Sequence, residues 1–355
     1  MLSREDTLIN KIGLVYNLKS GGRESDADEE YDEPETIAVL SETVKQMGFE
    51  VLGFEQGSDL AYRMNQTKPD FVINIAEGIG RGRGRESQVP CIMETMHLPY
   101  SGSDPVALGV TLDKYFCSKI LRSSGVPVAM AFSAYNKKTF DEQSTFIDSS
   151  KRYIVKPRWE GSSKGIFNNS IVYGHDEILK KVTECYRLYG QPAVIEEYIP
   201  GDEVTVGVCG NVSPGILAVM QIRPRVKKQD FIYSLEVKRD WRKQVEYCLY
   251  KSDQRIMSKI QNYALKAFDV LGIHDLCRID FRVDADGVPK IIDINPLPGL
   301  SPEYSDLPIM CGLAGMPYKE LVSEYLSESL KRYGLLAADK QGGNSAQSAA
   351  CCSGK

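Results

Sequence analysis

The first third of the chain alternates short apolar runs with longer stretches of helical period. Residues 11–17 (KIGLVYN) are apolar and β-branched, 35–48 carry helical spacing, 49–54 read as a strand, and after a second helix 70–76 (DFVINIA) read as a third strand. This alternation predicts a parallel sheet flanked by helices. Asp113 opens a helix that stops at Gly125, with Val126-Pro127 beyond it, so a junction falls near residue 112. Strands over 153–156 and 166–173, a helix over 175–189 and a strand over 193–197 follow, an α+β pattern. From Glu203 come two strands and a polar loop of about twenty residues. A helix after Ser252 then places Ile256, Ile260, Ala264, Phe268 and Leu271 on one face. Two closing strands, 277–283 and 290–294, flank a plain turn at 284–287. The pattern predicts an α/β unit over 1–112, α+β units over 113–202 and 203–336, and a disordered tail over 337–355 rich in Ser, Gly, Gln and Ala.

A length of 355 residues exceeds one core, and 42% apolar with 26% charged residues suffices for several. The net charge of -5 gives no general attraction to nucleic acid or an anionic membrane, so neither is expected as a partner. No apolar run approaches the roughly 18 residues of a membrane span or the length of a signal peptide, and a cytoplasmic location is expected. Nine cysteines without a CxxC pair and three histidines argue against a disulfide framework and structural zinc. Residues 24–35 hold eight acids in twelve, which reads as a mobile, solvated loop interrupting the first strand–helix connection.

Three segments carry chemistry. In Arg278-Ile-Asp280-Phe and Ile291-Ile-Asp293-Ile-Asn295, Asp293 and Asn295 share a sheet face by their spacing of two, and Asp280 can meet them from the partner strand. Both acids follow apolar strand residues, where an uncompensated carboxylate is costly, and hard oxygen donors suit magnesium carrying ATP. In the second, Lys156 precedes the loop Gly161-Ser162-Ser163-Lys164-Gly165, whose backbone N–H groups and hydroxyls can grip phosphate. The same loop fits GxSxG, but the nucleophile elbow of a hydrolase needs a helix straight after the serine, and a strand pattern follows instead. The third, 194–203, offers Glu196 to an adenine amino group and Glu203 to ribose hydroxyls.

Taken in order, LPYSGSDPVAL, DKYFCSKILRSSGVPV, VKPRWEGSSKGI, VIEEYIPGDEVTV, CRIDF and IIDINPLPG resemble the D-alanine:D-alanine ligase family of the ATP-grasp superfamily over about residues 99–299. The resemblance implies a three-domain ATP-grasp fold with nucleotide between the last two domains. It implies that Lys114, Lys156 and Lys238 touch ATP phosphates, with Ser163 in the phosphate loop. Glu196 and Glu203 would hold adenosine, Glu197 and Ile199 would offer main chain, and Asp280, Asp293 and Asn295 would bind magnesium or manganese, as two ions. Arg278 and the Gly299 N–H would stabilise an oxyanion, and Ser162 would position the first substrate. The implied reaction joins a carboxylate to an amine through an acyl phosphate, with amino acids or peptides as substrates and a homodimer as the assembly.

Departures concern the substrate. The family's acidic residue that greets the first amino acid's ammonium follows its Gly-Gly, whereas Gly21-Gly22 here leads into the acidic insertion. Where the family has His-Gly and then Gly-Glu-Asp-Gly, this chain reads AEGIGRGRGRES, and Arg83 or Arg85 is expected to clamp an acceptor carboxylate. Arg239 replaces a tyrosine at the end of the mobile loop. These changes favour a ligase of peptide or specialised metabolism over a cell-wall D-alanine:D-alanine ligase, with a catalytically silent ATP-binding protein as the further alternative.

Overall fold

The computed structural model describes residues 1–20, 26, 28–226 and 230–337. Gly21-Gly22 and nearly all of the tail lie outside them. Three sheets organise the chain. Strands β1 (Lys11–Tyr16), β2 (Glu50–Glu55) and β3 (Phe71–Asn74) form a parallel sheet in the order β2-β1-β3. β3 is buried along its whole length, as a strand covered on both faces must be. In this order the connections leave β1 on opposite sides, so the chain reverses direction between β1 and β3, and the crevice outside their carboxyl ends is where such sheets take ligands.

The second sheet is antiparallel, ordered β4 (Ala131–Ala134), β7 (Ala193–Glu197), β5 (Arg152–Pro157), β6 (Ile171–Tyr173). Helix Gly174–Tyr189 seals it with Ile178, Val182 and Cys185. The third, also antiparallel, runs β10 (Val245–Leu249), β9 (Gly215–Pro224), β8 (Asp202–Gly210), β11 (Asp275–Val283), β12 (Pro289–Asn295). Helix Gln254–Val270 packs Ile260, Ala264, Ala267 and Phe268 against Val204, Val206, Cys277, Ile279 and Phe281. On the opposite face, Met220 and Ile222 share a core with Leu307, Met310, Leu321 and the first sheet's Ile12 and Leu14.

Two expected elements differ. The strand over 166–173 shrinks to Ile171–Tyr173, because Ile166 and Ser170 close turns onto the carbonyls of Ser163 and Phe167. The polar loop after β9 instead contains helices Leu235–Arg239 and Trp241–Gln244 and the edge strand β10. Ser234 caps the first of these, accepting from the Val237 N–H at 3.3 Å.

Asp113 is fully buried. Its carboxylate caps helix Lys114–Ser123 through the Phe116 N–H (3.1 Å), binds Arg158 at 2.7 and 2.9 Å, and accepts from the Trp159 indole at 3.2 Å. Cys117, Leu121 and Val126 pack into the core of the third sheet, so the second sheet's own core starts at Phe132. Asp113→Ala strips a charge partner from Arg158 and a cap from the helix, and is expected to cost about 3–5 kcal/mol. A denaturant titration checks it, the variant unfolding at lower urea than the parent.

Candidate active site

The β11–β12 hairpin builds the centre of the site. Arg278 lies opposite Asn295 and Asp280 opposite Asp293, so the alternation of the strands puts all four on one face while Cys277, Ile279 and Phe281 go to the core. Arg278 donates to Asp280 twice, at 3.0 and 2.8 Å, and the Asn295 amide reaches the same carboxylate at 3.2 Å. From β8, Thr205 adds its hydroxyl to Asp280 at 2.6 Å. Burial opposes the Arg278 charge, but Asp280 and Asp306 (3.6 Å away) outweigh it and hold the guanidinium firmly protonated. Two carboxylates and an amide on one face are hard-oxygen donors that fit magnesium or manganese.

The second sheet faces this hairpin with its cations. Lys156 on β5 pairs with Glu196 on β7 at 2.8 Å and donates to the Ile292 carbonyl of β12 at 3.3 Å. Lys114 meets Asp293 at 2.8 Å. Burial alone would raise Asp293, yet Lys114 and Lys156 bring its carboxyl below the usual range. Glu203 is tied to Arg282 at 2.8 Å, Arg282 also donates to the Ile199 carbonyl at 2.9 Å, and Glu197 pairs with Lys151 at 2.8 Å. Lys114, Lys156 and Glu196 therefore lie against the hairpin face that carries Asp280, Asp293 and Asn295.

In the loop 161–165, Ser162 (φ 47°) and Ser163 (φ 61°) both hold left-handed backbone, a strained conformation that the loop's own turns impose. Gly165 (φ 73°) is obligatory, since a Cβ there would lie 2.4 Å from Pro157. The Ser163 hydroxyl donates to the Tyr233 carbonyl at 3.0 Å, and the Leu235 N–H to the Ile166 carbonyl at 2.9 Å, fastening this loop to the segment that carries Lys238 and Arg239.

Beside the hairpin opens a cavity of about 640 Å³ lined by Lys114, Ser162, Lys238, Arg239, Arg278, Asn295 and Gly299, among others. Burial lowers the Lys238 ammonium, with Asp306 opposing. Acids line the rest: Asp28, Glu29, Glu30, Asp32, Glu33, Glu77 and Glu86. Five of these belong to a segment expected to be solvated, yet Glu29 and Glu30 within it are drawn into ion pairs. Glu30 accepts from Arg85 at 2.6 Å, from Lys164 at 3.2 Å and from the Gly161 N–H at 2.5 Å, while Glu29 takes Arg239 Nε at 2.7 Å. Burial works against the Glu30 charge, and Arg85 and Lys164 bring its carboxyl below the usual range.

The two loop arginines are placed otherwise than expected. Arg83 is exposed and stacks over Phe116, 5.1 Å from the ring centre, and Arg85 is spent on Glu30 and the Trp159 carbonyl. Neither lines the cavity; the loop's outer residues, Glu77 and Glu86, do. Sequence reasoning missed these two, along with Glu29, Glu30 and Asp306. The available signal was position, since Glu77 closely follows β3 at its carboxyl end.

Burial raises Asp32 to about 7, with Lys19 opposing, and Glu86 to about 8, with Arg85 opposing and Glu30 assisting. Both folded values lie above the unfolded ones, so the native state binds these protons more tightly. The stability they confer is complete below about pH 4 and lost as pH rises toward 8. The melting temperature is expected to fall between about pH 6 and pH 8.5, and Glu86→Gln to flatten that fall, as scanning calorimetry across this range would register.

The comparisons agree with this geometry. Residues 120–327 match the family model described as D-ala D-ala ligase C-terminus. The D-alanine--D-alanine ligase of Aquifex aeolicus is 28% identical over 306 residues, covering 85% of this chain and 96% of that protein. That of Gluconobacter oxydans is 30% identical over 296 residues, covering 82% and 92%. The crystal structure of D-alanine--D-alanine ligase from Bacillus anthracis complexed with ATP superposes with a TM-score of 0.71 at 22% identity, over 92% of this chain and 99% of that one. Two antiparallel sheets facing across a cleft, with a parallel α/β sheet before them, are the ATP-grasp architecture. The chain belongs to the D-alanine–D-alanine ligase family of ATP-dependent carboxylate–amine ligases. Among the described residues no helix is long and apolar enough to cross a membrane.

Proposed function

We propose that this ligase joins the carboxylate of an amino acid to the amine of a second substrate through an acyl phosphate, in peptide or specialised metabolism. The observation that carries the reading is the face-sharing set Arg278, Asp280, Asp293 and Asn295 opposite Lys114 and Lys156. The division at 112 and 202 belongs to the same reading, with nucleotide between the second and third units. Glu196 and Glu203 would hold adenosine with the main chain of Glu197 and Ile199, and Lys114, Lys156, Lys238 and Ser163 would hold phosphates. Asp280, Asp293 and Asn295 would hold magnesium, which neutralises charge on the transferring phosphoryl group.

A carboxylate oxygen of the first substrate attacks the γ-phosphorus and ADP leaves. The amine nitrogen then attacks the acyl carbon, phosphate departs with that carboxylate oxygen, and the nitrogen gives up a proton. Arg278 and the Gly299 N–H face the oxyanion of the tetrahedral intermediate, where each donor is worth about 3–4 kcal/mol in other enzymes. Ser162 orients the first substrate. The segment with Lys238 and Arg239, fastened to the phosphate loop, keeps water from the acyl phosphate.

The cavity supports a substrate other than a D-alanine pair, because Arg239 ties to Glu29 where the family has a tyrosine, and Glu77 and Glu86, which have no ion-pair partner among the described residues, line the wall. A homodimer in the cytoplasm is part of the proposal. Mass spectrometry of products from ATP, magnesium and a mixed amino-acid pool tests it, with ADP and an amide of two pool members expected. D-alanyl-D-alanine as the sole product would return the cell-wall reading, and no stimulated ADP release would return the silent one.

A further inference from the structure

The proposed ligase function leaves two side chains in the cavity unexplained. Glu86 is only 7% exposed and lines the cavity, and no described residue donates a hydrogen bond to its carboxylate or pairs with it. Glu77, half-buried, lines the same cavity, and no described residue donates a hydrogen bond to its carboxylate either. The backbone brings them together. Gly78 (φ 91°) folds back onto the far end of its loop so closely that a Cβ there would sit 2.1 Å from the Arg85 carbonyl oxygen. Tyr31 holds the turn through the Gly78 carbonyl at 3.0 Å and Asn17 through its N–H at 3.1 Å. Glu77 and Glu86 therefore flank one closed loop beside the crevice between β1 and β3.

The cations whose charge acts most on these carboxylates are engaged elsewhere. Arg85 faces Glu30 at 2.6 Å, Lys114 faces Asp293 at 2.8 Å, and Lys19 faces Glu33 at 3.3 Å. Asp32, also on the cavity wall, accepts no side-chain partner among the described residues either. Buried carboxylates without partners are costly, and a fold keeps them where a ligand supplies the missing charge. Burial and then the Glu86 charge raise the proton affinity of Glu77, and burial, with Glu30 assisting and Arg85 opposing, raises that of Glu86. A neutral amino acid brings one ammonium to three unpaired acids, and a second cation on its side chain improves the balance.

We infer that Glu77 and Glu86 form a subsite for the side-chain cation of a basic amino-acid substrate, an ammonium or a guanidinium. The inference rests on the ligase reading for the identity of the site, and its test is kept separate from turnover. Binding of lysine, ornithine and arginine, in both stereoisomers, is measured calorimetrically on the full chain, with alanine and aspartate as controls. Each is run without nucleotide and with magnesium and a non-hydrolysable ATP analogue. At least one basic amino acid is expected to bind about tenfold or more tighter than alanine, and Glu86→Gln or Glu77→Gln to erase that preference. Both variants are expected to melt at or above the parent temperature, which a merely structural role would not produce, and either alone suffices should the other fail to fold.

Equal binding of alanine and the basic amino acids would overturn the inference, as would a preference that survives both substitutions. So would a melting shift from magnesium or calcium alone that Glu86→Gln removes, which would assign the pair to a metal. Basic amino acids that bind without ADP release would leave the subsite standing and sink the ligase reading. ADP release with neutral amino acids only would do the reverse.

Discussion

Asp293→Asn is expected to abolish ATP-dependent product formation while the chain stays folded. The substitution keeps the side chain's shape on β12 but removes the charge that faces Lys114 at 2.8 Å and the carboxylate opposite Asp280. Stabilisation of the transferring phosphoryl group by a bound divalent ion is worth several kcal/mol, so a loss of about a thousandfold or more in kcat follows. Two measurements separate the causes: initial rates of ADP release, and binding of a fluorescent ATP analogue with and without magnesium. The variant is expected to lose the magnesium dependence of binding as well as turnover. Activity within a few fold of the parent would remove Asp293 from the metal set.

Arg278→Lys carries the second large effect. Arginine holds Asp280 with two parallel bonds and keeps Asp306 within 3.6 Å, a geometry a lysine ammonium cannot reproduce. Loss of an oxyanion donor lowers kcat about 10²–10³-fold in other enzymes, and the same fall is expected here with the KM for ATP little changed. Arg278→Ala adds a structural penalty, because Asp280 and the buried Asp306 lose their cation, at a cost of about 3–5 kcal/mol. Steady-state kinetics with parallel melting curves distinguish the two variants.

The parts of this site that local pattern can express were legible in the sequence. Strands β11 and β12 announce themselves because one face must be apolar to meet helix Gln254–Val270, which leaves Arg278, Asp280, Asp293 and Asn295 with a common opposite face. The parallel sheet was equally readable from its alternation with helices. What failed depended on partners far along the chain. The acidic segment looked like a self-repelling, solvated run, but the cations that neutralise it lie 55, 134 and 210 residues away, at Arg85, Lys164 and Arg239. The arginine-rich loop was read with its charges inward, and the fold-back at Gly78 turns the glutamates inward instead. The segment after β9 hid two short helices and an edge strand because buried Phe231, Ile232, Leu235 and Val237 are interleaved with charges.

The central claim is that ATP activates a substrate carboxylate as an acyl phosphate over the β11–β12 hairpin. The fate of the carboxylate oxygen tests it most directly. The amino-acid substrate found by product analysis is labelled with oxygen-18 in both carboxylate positions and turned over with ATP and magnesium, and the phosphorus-containing products are read by mass spectrometry. One labelled oxygen is expected in inorganic phosphate and the other in the new amide, with ADP unlabelled. Label in AMP with release of pyrophosphate, or phosphate formed without label, would contradict the account.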